Sequence, residues 1–321
     1  MNKLDLKLYR GYVNDNQLVV YGHVFRSNAP DKFRLDRKGF RHAFSIFHMY
    51  RIKPITNINV LLNFKEIQVN TKTLSDGYFR FTIPFDFFLV SGWHKYQVSC
   101  TYKNLNIVRK GELLKPHISS YGIISDIDDT FLISHSNNFF KKIYILLLKN
   151  IHKRKVFEDV VEHYKALSSF GHQQDSFNSF FYVSNSEWNL YEFINDFAKI
   201  HQLPKAIIKL KKIKAGLGSF LFSGSGYSNH KFEKIKDIIG FYPNIKYVLL
   251  GDDSQKDVFV YERIVKIFPL SIKAVYIRQT GIKQKPSIKT SLQTIESLQI
   301  ATMYFKNSKE AIAHSKSIGL I

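Results

Sequence analysis

Four short segments carry side chains whose types could do chemistry together. They are Asp126-Ile127-Asp128-Asp129-Thr130, Ser184-Asn185-Ser186, His230-Lys231 and Gly251-Asp252-Asp253-Ser254-Gln255-Lys256-Asp257. Between them they offer a nucleophile, a hydroxyl, a cation and a cluster of carboxylates. That set suits phosphoryl transfer. A carboxylate attacking phosphorus gives an aspartyl phosphate and splits one hard step into two. Phosphate monoesters hydrolyse so slowly unaided that enzymes accelerate them by up to ~10²¹-fold. Positioning and charge neutralisation must therefore act together. Clustered carboxylates repel an anionic substrate, so a cation is required. Magnesium (Mg2+), a hard ion held by one or two carboxylates, waters and substrate oxygens, fits that need.

These segments must be brought to one place, and the chain around them supplies the means. Beyond about Pro116, short apolar runs at 121–125, 180–184, 246–250, 274–277 and 301–305 alternate with stretches of helical period. That alternation predicts βαβ units and a parallel sheet. Leu190, Phe193, Ile194 and Phe197 share one helical face, as do Phe232, Ile235 and Ile239, and a helix near 308–318 closes the chain. In such sheets ligands bind beyond the carboxyl ends of the strands. Each chemical segment follows a strand or opens a helix, so all four are expected on one rim.

Residues 1–116 read differently. Runs at 17–25, 58–64, 78–83 and 93–102 are rich in β-branched and aromatic residues. Ser75-Asp76-Gly77 is a hairpin signal and Pro84 a strand stop. The expectation is a small all-β sandwich domain over 1–116, of immunoglobulin or transthyretin type, followed by an α/β domain over 117–321. The basic, aromatic insert at 32–51 is a helix candidate within the first domain.

The four segments in this order resemble the haloacid dehalogenase superfamily of phosphatases. Gly122-Ile123-Ile124-Ser125-Asp126-Ile127-Asp128-Asp129-Thr130, Tyr182-Val183-Ser184-Asn185-Ser186-Glu187-Trp188-Asn189-Leu190, His230-Lys231, the Gly251 to Asp257 segment with Tyr261, and Tyr276-Ile277-Arg278 resemble the actin-patch phosphatidate phosphatase family and its bacterial relatives. The resemblance is strong over roughly 118–282 and weak at the front, where Tyr9-Arg10-Gly11-Tyr12 and Asp76-Gly77-Tyr78-Phe79 look like the β domain of bacterial members. It implies a Rossmann-like domain, an Mg2+ cofactor and a lipid phosphate substrate, phosphatidate. It also implies roles. Asp126 is the nucleophile; Asp128 protonates the leaving alcohol and then activates water. Thr130 fixes the loop, Ser184 holds the phosphoryl group and Lys231 neutralises it. Asp252 completes the metal site with Asp126 and the Asp128 carbonyl, and Asp253 or Asp257 assists. The family's usual Ser after the metal Asp is Asp253 here, which leaves the division among Asp252, Asp253 and Asp257 open.

Every one of these residues has a plainer reading. Asp128, Asp129 and Thr130 can cap a helix, Ser184 can be an N-cap, and Asp257 can cap the helix that runs to Tyr261. Among 47 basic residues a lysine at a helix start is common. Trp188, beside the rim, is a pocket wall or a core aromatic. The segment at 205–214, lysine-rich and alternating, is an edge-strand candidate. The Gly/Ser-rich run at 216–228 reads as a flexible loop, one that closes over substrate or is simply loose.

Composition bounds the partners. The 47 basic against 26 acidic residues give a net charge of +21, spread over both parts: 1–116 carries 19 basic and 8 acidic residues, net +11. A basic tail is excluded, and an anionic partner is favoured. Residues 139–155 set Phe139, Phe140, Ile143, Leu147 and Ile151 near one face with lysines and Arg154 around them, a candidate peripheral membrane contact; the alternative is a helix packed on the sheet. No nucleic-acid motif stands out, which disfavours that partner. Cys100 is the single cysteine, which excludes an internal disulfide and a Cys-rich zinc site. The charged start Met1-Asn2-Lys3-Leu4-Asp5 and the lack of an apolar run of ~20 residues point to the cytoplasm. Two other readings remain: the same chemistry on nucleic-acid ends or phosphoproteins, and a non-catalytic module that binds anionic membrane. Oligomeric state is not legible.

Overall fold

A computed structural model describes residues 3–27, 53–117, 121–127, 159–169, 177–211 and 227–321. The insert at 32–51, the segment at 139–155, residues 128–130 and most of the 216–228 run lie outside the described residues. The chain is α/β, with one mixed and one parallel sheet in two compact units that divide after Pro116.

The first unit contains nine strands: β1 (Lys3–Leu8), β2 (Gly11–Val13), β3 (Gln17–Ser27), β4 (Lys53–Pro54), β5 (Asn59–Phe64), β6 (Ile67–Lys72), β7 (Tyr78–Pro84), β8 (Gly92–Tyr102) and β9 (Leu105–Lys115). Alternation explains their burial. Val60, Leu62 and Phe64 of β5 and Phe79 and Phe81 of β7 point inward and join Leu18, Val20, Val24, Val98 and Leu113 in one core. The hydrogen-bonded path runs β1-β3-β2-β9-β8-β5-β6, with β4 and β7 also on β3. It is continuous because β2 bonds to two partners, antiparallel to β3 and parallel to β9.

The Asp76-Gly77 signal makes its turn but not the hairpin. Gly77 takes φ +76°, which glycine allows without strain, and Asp76 Oδ1 accepts the Tyr78 N–H at 3.0 Å. A Cβ at Gly77 would also lie 2.3 Å from the Val24 carbonyl oxygen. Instead of pairing with β6, β7 pairs antiparallel with β3 from Gln17↔Pro84 to His23↔Tyr78. β6 alternates half-buried and exposed residues along the sheet's end, and its polar Gln68, Asn70 and Lys72 hid it from the sequence reading.

The second unit holds a six-stranded parallel sheet: β10 (Tyr121–Ser125), β11 (Ser179–Glu187), β12 (Ala206–Lys211), β13 (Lys246–Asp252), β14 (Ile272–Arg278) and β15 (Ala301–Phe305). Its order is β12-β11-β10-β13-β14-β15, and each adjacent pair is parallel. The lysine-rich segment is indeed an edge, β12. The chain moves outward from β10 to β12, then returns to lay β13 on the other side of β10. The order therefore reverses between β10 and β13, the point at whose carboxyl ends such sheets bind ligands.

Among the described residues six helices connect or follow these strands: α1 (Val160–Ser169), α2 (Tyr191–Ile200), α3 (Tyr227–Phe241), α4 (Asp257–Ile267), α5 (Pro286–Glu296) and α6 (Ser308–Ser317). Their starts follow from sequence. Pro286 supplies a preset φ at the first turn of α5. The Asn307 side chain accepts the Glu310 N–H at 3.1 Å while Glu310 Oε2 accepts the Lys306 N–H at 2.9 Å, a reciprocal cap for α6. Helix α3 packs on α4, α4 on α5, and α1 on α6. Among the described residues no helix is long and apolar enough to cross a membrane.

Between α1, α6 and β14 lies a buried polar knot. His163 shares a 2.9 Å hydrogen bond with Ser315, whose hydroxyl donates to Tyr276 at 2.8 Å. Burial, aided by the Arg278 charge, pushes the His163 pKa down to about 4. The unfolded chain binds this proton near pH 6.5, the folded chain only near pH 4. The stabilising effect is thus complete above pH 6.5 and is lost as pH falls through that window. Unfolding free energy from urea midpoints should fall by about 2 kcal/mol more between pH 7.5 and pH 5 in the parent than in His163→Asn. Equal slopes in the two proteins would contradict a buried neutral imidazole.

Candidate active site

Strand β10 buries Gly122 through Ser125 and delivers Asp126 at its carboxyl end. Its backbone is held at both ends. The Asp126 N–H donates to the Leu250 carbonyl at 2.9 Å. The Ser125 hydroxyl donates to the Asp126 carbonyl at 2.7 Å and meets the Tyr164 hydroxyl at 2.7 Å. The neighbouring strand supplies the second acid. Ser125 pairs with Leu250, so Asp252 ends β13 just beyond Asp126. Asp252 Oδ1 accepts the Ser254 N–H and, at 3.2 Å, the Gln255 N–H, which turns the chain into α4. Asp257 opens that helix, and its Oδ2 accepts the Asp252 N–H at 3.4 Å.

Asp126, Asp252 and Asp257 each place a carboxylate oxygen within 4.8 Å of the other two, and all three are buried. Lys231, the fifth residue of α3, reaches into them and is only 2% exposed. Its Nζ lies 2.9 Å from Asp126 Oδ1 and makes a short hydrogen bond to Asp257 Oδ1. Burial alone would push this ammonium down; Asp126 and then Asp257 outweigh it, and the Lys231 pKa is raised. The lysine is a fixed cation here.

Glycine is required at Gly251 for a packing reason. A Cβ there would lie 2.8 Å from both Asp257 Oδ2 and the Tyr261 ring. The ring in turn is anchored by its hydroxyl, which donates to the Leu250 carbonyl at 2.8 Å.

Ser184 stands on the same rim, two positions past the Ser125↔Tyr182 pairing. The β11 register shifts between Val183 and Glu187. There the Ser184 hydroxyl bonds the Ser186 hydroxyl at 2.6 Å and accepts the Ser186 N–H at 3.0 Å. Trp188 is buried in a single 3₁₀ turn, Trp188–Leu190.

Asp253 departs from the expected ligand set. Its side chain turns away from the three clustered carboxylates. Oδ1 accepts the Thr280 N–H at 2.9 Å and the Thr280 hydroxyl, and Oδ2 accepts the Tyr304 hydroxyl at 2.6 Å. Lys285 donates to the Asp253 carbonyl. Two neutral hydroxyls and an amide thus hold its carboxylate, and the residue ties the β13 loop to β15. Asp128 and Thr130 lie outside the described residues.

Arg278, at the end of β14 opposite Asp252, is buried. Its guanidinium donates to Ser308 Oγ at 2.8 Å and sits 4.7 Å over the Phe305 ring. Burial pulls its pKa down to about 10 against the opposing effects of Tyr164 and Asp252.

Three buried carboxylates gather around Lys231, with Arg278 opposite Asp252. Such a group is costly unless a cation completes it. The donors are all oxygen, the set that hard cations select. The cluster is therefore able to hold a metal ion.

Residues 121–279, from the start of β10 to just past β14, match the family described as "Phosphatidate phosphatase APP1, catalytic domain". Phosphatidate phosphatase APP1 of Saccharomyces cerevisiae is 30% identical over 170 residues, which are 50% of this chain and 27% of the yeast protein. The match thus spans about a quarter of that relative's length. Among solved structures, a carbohydrate acetylesterase from Xanthomonas citri aligns over 96% of this chain and 69% of its own at 8% identity and a TM-score of 0.34. A β-glucuronidase from Bacteroides uniformis aligns over 94% and 38% at 6% identity and a TM-score of 0.28. At such scores neither informs the fold or the site.

Proposed function

We propose that this chain is a magnesium-dependent phosphatase of the haloacid dehalogenase type, acting through an aspartyl phosphate, with phosphatidate as its substrate. One observation carries the reading: Asp126, Lys231, Asp252 and Asp257 converge, buried, at the carboxyl ends of β10 and β13. The family that residues 121–279 match and the name of the yeast relative support the lipid phosphate substrate. In this reading 117–321 is the phosphatase domain, 1–116 an accessory β-sandwich, and the protein works in the cytoplasm.

Lys231 keeps Asp126 ionised and fixes its direction, which is what a nucleophile needs. The Asp126 carboxylate attacks phosphorus as the bond to the lipid alcohol breaks, and Asp128 gives that alcohol a proton. Water then attacks the phosphoryl group, Asp128 takes the proton back, and the bond to Asp126 breaks to release inorganic phosphate. Ser184 donates to the transferring group, and Lys231 offsets its charge. Asp126, Asp252 and Asp257 are the side chains that would hold Mg2+, whose charge offsets that of the phosphoryl oxygens when bound. Asp253 fixes the loop rather than the ion.

The test is a panel: phosphatidate vesicles, a water-soluble monoester, a 5′-phosphorylated oligonucleotide and a phosphopeptide, each with magnesium and with chelator. Magnesium-dependent release, fastest from phosphatidate, is expected. No release from any of them, or release indifferent to the chelator, would refute the reading.

A further inference from the structure

The rim that carries the acidic centre also carries a surface of opposite character. At the carboxyl edge of the sheet the chain passes through 254–260 into α4, and through 280–289 into α5, and these two helices pack side by side. The first segment exposes Lys256 and Phe259; the second exposes Ile282, Lys283, Lys285 and Lys289. Ile282 is 91% exposed and Phe259 41%. Asp257 is the one acid in either segment, and it is buried against Lys231. This edge thus presents two large apolar side chains among four lysines, with no exposed acid in either segment.

The loop that bears Ile282 is held rather than loose. Gln279 Nε2 donates to the Gly281 carbonyl at 2.8 Å and the Ile282 carbonyl at 3.0 Å. Thr280 is fastened to Asp253, and the Lys285 N–H donates to the Tyr304 hydroxyl at 3.1 Å. Polar braces therefore keep an isoleucine in water at the carboxyl edge of the sheet. A single exposed apolar residue needs no explanation; one braced in place, with three lysines in its own segment and Phe259 exposed on the helix that packs beside it, has the make-up of an interfacial contact. Apolar side chains enter the headgroup boundary while lysines meet anionic headgroups.

We propose that this edge docks on an anionic lipid bilayer, with Ile282 and Phe259 inserted and Lys256, Lys283 and Lys289 on the headgroups. The choice of a bilayer rests on the phosphatidate reading and on the charge of the edge. Docked this way, the chain brings the buried carboxylates toward headgroup phosphates without extracting the lipid far from its leaflet.

The experiment sediments the full chain with phosphatidylcholine vesicles with and without phosphatidylglycerol, a lipid that carries no phosphomonoester. The parent should prefer the anionic vesicles and lose binding as salt rises. Ile282→Asp combined with Lys283→Gln should weaken that partition about tenfold, with hydrolysis of a water-soluble monoester and the urea midpoint unchanged. Phe259→Ser, read the same way, should weaken it several-fold. A parent indifferent to anionic lipid, variants that partition like the parent, or an oligonucleotide that displaces the vesicles as well as free anionic lipid does would overturn the proposal. Failure of phosphate release with the vesicle pattern intact would remove the phosphatase reading and leave the docking edge standing.

Discussion

Asp126→Asn should abolish phosphate release, by roughly 10³-fold or more, the scale of losing a covalent nucleophile. The amide keeps the shape of the carboxylate but cannot attack phosphorus. The fold should survive because the backbone of Asp126 is held independently of its side chain, through Leu250 and Ser125. The substitution also removes one negative charge from a cluster with three buried carboxylates and one lysine. In chelator, the variant should therefore melt at or above the parent's temperature. Steady-state rates with magnesium and melting curves without it check both halves. Activity within a few-fold of the parent would place the nucleophile elsewhere.

Lys231→Met should damage both stability and activity. It is flanked by Asp126 and Asp257, and neither acid has water to fall back on. Breaking a buried pair by removing one partner leaves uncompensated charge and costs about 3–5 kcal/mol. Urea unfolding in chelator measures it. Magnesium should restore part of the loss, because a divalent ion relieves the same repulsion. Turnover should not recover with it, since the cation that meets the phosphoryl group and aims Asp126 is gone. An unfolding free energy equal to the parent's would contradict the buried clamp.

The site was legible in the sequence to the extent that it hangs on backbone periodicity. Asp126 and Asp252 follow or end strands, Asp257 opens a helix, Ser184 lies at the irregular end of β11 and Lys231 near the start of α3, so a parallel sheet gathers them on one edge. The strand positions in 117–321 were equally readable, because buried parallel strands are continuous apolar runs. What the sequence hid is set by distant partners. Asp253 looks like a third ligand in Gly251-Asp252-Asp253; only Thr280 and Tyr304, 27 and 51 residues later, show where its carboxylate goes. Ser125 and Tyr164, 39 residues apart, brace the backbone of Asp126 with no local signal. In the first unit, Asp76-Gly77 fixed a turn, but tertiary packing chose β3 over β6 as the partner of β7. The bond path through β2, which joins the strands into one network, depends on three residues too short to read as a strand.

The most direct measurement is to stop turnover of a water-soluble monoester with acid, digest the protein, and locate any phosphoryl adduct by mass spectrometry. The adduct should sit on the peptide that contains Asp126, and should be missing from Asp126→Asn. An adduct on Ser184 or on no residue at all, in a preparation that is turning over, would contradict the account.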